Sequence, residues 1–333
     1  MKLLFLGGAG MIGSAAAAEA AVRGADVTIV TRSAPRRPVA PGVRALRADV
    51  RGTDGLRAAL GAEEFDAVVN WVGYTPDEVR GHPALFTGTA GQYVFISTTS
   101  VFGRPVPQLP VTESSPRRQP VFGYARDKIA CELLLEDAYR TTGFPLTVVR
   151  PGHTYDRTVV PVPAGWTAIE RMRTGRPVVV HGDGTSLWTL MHARDFARAF
   201  VPLLGSAHAV GESVNLVSGD ILTWDQIHLT LAAAAGVRHP VLRHRSSESI
   251  AEHIPRWADV LEHDFRHSML YDTSKLRALV PGFAPEVSFA EGAGEVLAHY
   301  DAHPELRVAD HILDRAFDAL LAPAGAVREE GTA

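Results

Sequence analysis

Fourteen residues at the N-terminus, MKLLFLGGAGMIGS, leave this chain few folds to choose from. A short apolar run, residues 3–6, stops at Gly7, and a glycine-spaced turn leads into the alanine-rich stretch 14–22. Buried strand, tight turn and helix N-terminus, in that order, are what a dinucleotide-binding βα unit requires. The glycines read as Gly7-x-x-Gly10-x-x-Gly13 or as Gly8-x-Gly10-x-x-Gly13. In either register one glycine allows a positive φ, one lets the backbone approach a pyrophosphate, and one lets the helix pack on the strand. The helix start at Gly10, Met11 and Ile12 then offers free N–H groups and a partial positive charge to that pyrophosphate. A glycine-rich turn with no ligand is the plain alternative; its place at the mouth of the first strand favours the cofactor.

Residues 25–31 (ADVTIVT) form the second expected strand. An acidic residue at its end would hold the ribose hydroxyls of NAD. The chain has Thr31-Arg32-Ser33 there, with Arg36 and Arg37 close behind. An arginine at this point can pair with a 2′-phosphate as a charge-assisted fork, so NADP is favoured, with NAD the alternative. Residues 44–50 (RALRADV) read as a third strand, with Asp49 and Val50 at its end beside the adenine. Residues 66–72 form the fourth, ending at Gly73, where the second half of the cofactor should lie. Residues 93–97 and 146–150 are the fifth and sixth, and 213–217 a seventh that returns to the sheet. Strands alternating with helical stretches predict an α/β fold, a Rossmann-type doubly wound parallel sheet with a smaller C-terminal substrate domain. The expected division is 1–150 plus about 211–219 for the NAD(P)-binding domain and 151–210 with 220–321 for the substrate domain. Residues 322–333 read as a flexible tail.

Chemistry gathers between the fifth and sixth strands. Tyr124-Ala-Arg-Asp-Lys128 opens a helix, and positions 124 and 128 share one of its faces. An ammonium beside a phenol favours the phenolate, which predicts that Tyr124 titrates below the ordinary ~10. Directly after the fifth strand comes Ser97-Thr98-Thr99-Ser100, at the sheet edge where open α/β folds bind ligands. Glycine turn, hydroxyl cluster and Tyr-x-x-x-Lys, in that order on those elements, are a joint signal. Cys131, on the same helix among apolar residues, reads as a packing residue.

Composition removes other classes. A net charge of −4 gives no general attraction to nucleic acid or anionic membranes. No run approaches the ~20 apolar residues of a membrane span, and the N-terminus reads as strand rather than signal peptide. One cysteine excludes an internal disulfide and a multi-thiolate metal site. His244, His253, His263 and His267 make no zinc spacing, so no metal is expected. The expected setting is cytoplasmic, with a small sugar-like substrate, neither nucleic acid nor membrane as partner, and a homodimer left open.

GGAGMIG, ISTTSVFG, YARDK and VRPGHTYD, with echoes in HGDGTSLWTLMHARDFA, VNLVSG and YDTSKLRALVPGF, resemble the extended short-chain dehydrogenases/reductases of the NAD-dependent epimerase/dehydratase group. The resemblance covers the chain to about residue 290. It implies that Thr98, four residues before Phe102, orients the reacting hydroxyl, that Tyr124 is the acid/base, and that Lys128 activates it and contacts the ribose. The implied cofactor residues are Gly7, Gly10, Met11, Ile12, Gly13, Arg32, Asp49, Val50, Gly73, Lys128 and Pro151, and the implied substrate residues Thr99, His153, Trp188 and His192. Within the group the chain looks most like short members likened to plastid RNA-binding relatives, because residues 73–92 are abbreviated. It departs from sugar-nucleotide epimerases where phosphate-binding arginines are expected, with Trp188 and Glu262 in their place. The acidic pair of sugar 4,6-dehydratases is here Thr99 and Ser100. The resemblance therefore implies an epimerase that oxidises and re-reduces a secondary hydroxyl through a transient ketone. An NADP-dependent reductase or dehydrogenase is the alternative, and a non-catalytic nucleotide- or RNA-binding protein a third reading.

Overall fold

Seven strands pair side by side, every pair parallel, in the order β7-β6-β5-β4-β1-β2-β3. They are β1 (Lys2–Leu6), β2 (Asp26–Thr31), β3 (Val43–Arg47), β4 (Ala67–Asn70), β5 (Tyr93–Ile96), β6 (Leu146–Pro151) and β7 (Ser213–Leu216). The computed structural model describes residues 1–50 and 52–322; the expected tail lies outside these, apart from Ala322. The strand order reverses between β1 and β4, where open α/β sheets bind ligands.

The central strands read as unbroken apolar runs because both faces are covered. Leu3 and Phe5 of β1 face one core and Leu4 and Leu6 the other. The first core is closed by helix α1 (Met11–Val22) and helix α3 (Ala193–Phe200). Ala16, Ala17 and Ala20 of α1 are buried, and such small side chains let a helix lie close to its neighbours. Phe196 and Phe200 of α3 fill the remaining space, stacked 5.4 Å apart. Helix α2 (Gly123–Thr142) closes the second core with Cys131 and Leu135. Its face also carries Glu132, which is fully buried against Arg150 of β6. Two hydrogen bonds of 2.9 and 2.8 Å make that pair bidentate. Burial opposes the charge on Glu132, but hydrogen bonds from Arg150 and Arg117 hold its carboxyl below the usual range.

The described residues divide into two compact units, 1–156 with 189–221 and 269–288, and 157–188 with 222–268 and 289–322. This corrects the division read from the sequence. Residues 189–210 carry α3, and 269–288 carry Leu276 and Val280, all of them in the core beside β1. Both segments therefore belong with the sheet. The second unit is built on the helices Trp166–Arg173, Trp224–Ala234, Phe289–Ala302 and His311–Leu321 and on two short two-stranded ribbons. Its core holds Trp188, Trp224 and Phe265, with ring centroids 4.8–5.6 Å apart. None of the described helices is long and apolar enough to cross a membrane.

Candidate functional site

Gly7 and Gly8 both adopt left-handed φ, +88° and +79°, which turns the chain sharply off β1. The N–H of Gly7 donates to the Val30 carbonyl at 2.8 Å, tying this turn to the end of β2. Gly13 packs against the turn: a Cβ there would sit 2.6–2.8 Å from three backbone atoms of Gly8. Gly10 is different. It is the N-cap of α1, no side chain caps that end, and a Cβ placed on it would meet nothing within 4 Å. The helix N-terminus thus opens onto free space with its N–H groups available, and that cradle fits a dinucleotide pyrophosphate.

The space is a cleft of about 570 Å³ along the carboxyl ends of β1, β2, β4, β5 and β6, within the ~300–1,000 Å³ usual for small-molecule sites. The glycine turn forms one end of it. Arg32 and Arg36 stand along the β2 side, exposed and with no ion-pair partner among the described residues. Arg37 behaves otherwise, pairing with Asp156 at 2.5 Å. Trp71, Val72 and Tyr74, after β4, line the middle, and Thr98, Tyr124 and Lys128 the far part, with Pro151, Gly152 and Thr154 alongside.

Thr98 caps a short 3₁₀ turn, accepting from the N–H of Ser100 at 3.2 Å. Tyr124 sits in the first turn of α2, exposed and beside Phe122. Lys128, one turn later, is only 2% exposed. Its Nζ donates to the carbonyls of Gly73 and Ile96 at 2.7 and 2.8 Å and lies over the rings of Tyr74 and Phe95. Burial pushes this ammonium down to about 8, against the opposing pull of Cys131, Glu132 and Glu78. A third donor of the ammonium remains for the cleft.

Of the expected cofactor residues, Gly7, Gly10, Ile12, Gly13, Arg32, Val50, Lys128 and Pro151 line this cleft. Met11, Asp49 and Gly73 do not. β3 ends at Arg47, so Asp49 falls in the exposed connection beyond it, and Gly73 contributes only its carbonyl to Lys128. Of the expected substrate residues none lines it. Thr99 is buried in the 3₁₀ turn, and His153 alternates away between Gly152 and Thr154. Burial lowers the His153 imidazole to about 4. His192 caps α3, its Nδ1 accepting from the Arg194 N–H at 3.2 Å. Trp188 belongs to the aromatic core of the second unit, 6% exposed. Glu262, in that unit, pairs with Arg266. The sequence reading missed Gly8, Trp71, Tyr74 and Thr154 as lining residues. Only Gly8, in its alternative glycine register, carried a signal.

A family model described as the NAD dependent epimerase/dehydratase family matches residues 3–216. A chloroplast stem-loop binding protein of 41 kDa from Arabidopsis thaliana is 25% identical, over 87% of this chain and 77% of that protein. A 2′-dehydrokanamycin reductase from Streptomyces kanamyceticus is 26% identical, over 85% of this chain and 80% of the reductase. Among solved structures, a dTDP-glucose 4,6-dehydratase from Bacillus anthracis in complex with NAD superposes with a TM-score of 0.73 at 16% identity, covering 92% and 98% of the two chains. The same fold recurs in a UDP-glucuronic acid 4-epimerase from Bacillus cereus, with a TM-score of 0.71 at 18% identity over 91% and 99%.

Proposed function

The chain belongs to the NAD-dependent epimerase/dehydratase family, and from that premise we propose that it is an NAD(P)-dependent enzyme acting on a secondary hydroxyl of a sugar-like substrate. The observation that carries this reading is the meeting of the glycine turn with Thr98, Tyr124 and Lys128 along one cleft. Gly10 and the first N–H groups of α1 hold the pyrophosphate, and Arg32, with Arg36 in support, selects a 2′-phosphate, so NADP is preferred. When bound, the nicotinamide supplies hydride acceptance and return. The protein's part is position and proton traffic. Thr98 holds the reacting hydroxyl by hydrogen bonding. The Tyr124 oxygen takes the hydroxyl proton as the carbinol carbon becomes a carbonyl, and gives it back when that carbonyl is reduced. Lys128 keeps a positive charge beneath that oxygen and favours its ionised form.

If the ketone is held and reduced on its other face, the outcome is epimerisation, the reading we favour. If it is released, the same residues make a reductase or dehydrogenase, the reaction named for the Streptomyces relative. Dehydration is disfavoured because Thr99 and Ser100 supply no carboxyl acid and base. The burial of Trp188 and the pairing of Glu262 with Arg266 support a substrate not held by its diphosphate. Denaturing the purified protein and identifying the released nucleotide tests the reading. Retained, oxidised cofactor is the expected result; no affinity for either nucleotide would overturn it.

A further inference from the structure

Lys128 does not hold itself in place, and the residues that hold it form a buried chain behind the cleft. The Gly73 carbonyl that receives its Nζ lies three residues beyond Asn70, the last residue of β4. Asn70 is 1% exposed, and its Oδ1 accepts from the N–H groups of both Val72 and Gly73, at 3.0 and 2.8 Å. That double acceptance fixes the bend in which the chain leaves the sheet. The other end of the amide is fixed as well. Its Nδ2 donates to the Tyr93 hydroxyl at 2.8 Å and approaches Nδ1 of His82 at 3.3 Å. Tyr93 and His82 are themselves joined at 2.5 Å.

Asn70 gives a hydrogen to the Tyr93 oxygen; with the Tyr93 hydroxyl giving its own to Nδ1 of His82, the imidazole proton sits on Nε2, which is buried with no hydrogen-bond partner among the described residues. Burial lowers the His82 imidazole to about 4 and pushes the Tyr93 phenol well above its usual range. Both stay neutral across the physiological range, and of the chain that runs from His82 to Lys128 only the lysine changes charge there. The ionisable groups around it are Glu78, Cys131 and Glu132, with Tyr74, over whose ring its Nζ lies, and Tyr124 one helical turn before it. A buried ammonium depends on its carbonyl acceptors for the solvation it has lost.

We propose that Asn70 is a positioning residue for the reaction, orienting the Gly73 carbonyl through its hydrogen bonds to Val72 and Gly73 and so setting where Lys128 sits and when it is charged. His82 and Tyr93 lock the amide in the one orientation that does this. The proposal rests on the reading of Lys128 as the group that activates Tyr124.

The chain has three lysines, Lys2, Lys128 and Lys275, so ¹³Cε-lysine NMR follows the Lys128 ammonium directly, without turnover. A wild-type midpoint pushed down by burial to about 8 is expected. Asn70→Ala removes the constraint on an acceptor that stabilises the charged form, and the midpoint falls below the wild-type value. Tyr93→Phe keeps the ring packed on Phe86 and Phe144 and removes only the hydroxyl; the same shift is expected there, smaller. The basic limb of the rate–pH profile moves with the NMR midpoint, turnover above it falling about tenfold per unit while KM changes little. Asn70→Ala and Tyr93→Phe midpoints at or above the wild-type value would overturn the proposal, and Tyr93→Phe decides it alone if Asn70→Ala does not fold. Lys128→Met separates this from the underlying reading: full activity in that variant refutes the role of Lys128, whereas an inactive Lys128→Met with unmoved Asn70 and Tyr93 variants refutes only the relay.

Discussion

Gly10 and Gly13 stand three positions apart in one motif, yet the structure predicts opposite consequences for filling them. At Gly13 an added Cβ would lie 2.6 Å from the Gly8 Cα and 2.7 Å from its carbonyl oxygen, all backbone of a turn held on both sides. Nothing there is the end of a flexible chain, so Gly13→Val overpacks the turn and costs about 1–3 kcal/mol or more of stability. Gly10 has φ −80° and ψ −177°, extended backbone that any residue adopts, and nothing stands within 4 Å of its Cβ position. Gly10→Val should leave the melting temperature close to that of the wild type. It fills the space a pyrophosphate would use and masks the first N–H groups of α1. Charged-acceptor hydrogen bonds contribute about 1.5–3 kcal/mol each, so losing two weakens nucleotide binding by roughly 10²–10⁴-fold. Thermal unfolding together with calorimetric titration of NAD and NADP separates the two effects. Undiminished affinity in a folded Gly10→Val protein would refute the assignment of this turn to the cofactor.

Three further outcomes follow from the same geometry. Arg32 lines the cleft without an ion-pair partner, so Arg32→Ala should narrow a preference for NADP that corresponds to about 10- to 100-fold in affinity; equal wild-type affinities for the two cofactors would refute it. UDP-glucose and UDP-galactose should bind poorly, because Trp188 is committed to an aromatic core and Glu262 is acidic; micromolar dissociation constants by calorimetry would show that other residues hold the diphosphate. Arg150→Met removes the bidentate partner of the fully buried Glu132 carboxylate, leaving it Arg117, and should cost up to about 3–5 kcal/mol in denaturant unfolding. Because the folded Glu132 carboxyl lies below its unfolded value, the wild type's extra stability is present above about pH 4.3 and lost as pH falls through the folded value; without Arg150 burial pushes the carboxyl back up, so the variant should not lose stability on acidification through this range, and an unchanged acid limb would contradict it.

The strands were legible because β1, β4, β5 and β6 are short apolar runs, buried on both faces, each bounded by polar or glycine-rich chain. β3 was the exception. RALR lies at the sheet edge with its residues largely exposed, so nothing in its pattern marked the end at Arg47 rather than Val50. Glycine spacing and Tyr-x-x-x-Lys were legible because their chemistry is local, within one turn of helix. What stayed hidden depends on distant partners. Trp188 reads as a substrate contact until Trp224 and Phe265 enclose it. Residues 269–288 read as part of the smaller domain until Leu276 and Val280 are found beside β1 and α3. Asn70, His82 and Tyr93 are spread over 24 positions with no repeating interval, and only the sheet brings them together.

The central claim is that Tyr124 moves the proton of the reacting hydroxyl, and Tyr124→Phe tests it most directly. The substitution keeps the ring at an exposed position and removes only the proton carrier, so folding and nucleotide affinity should survive. General acid–base catalysis contributes about 10²–10⁴-fold, and turnover should fall by at least the lower figure, measured as a rate–pH profile on the substrate the enzyme accepts. A variant that binds nucleotide normally and loses that rate agrees with the account. One that keeps most of its activity with the basic limb unchanged would contradict it.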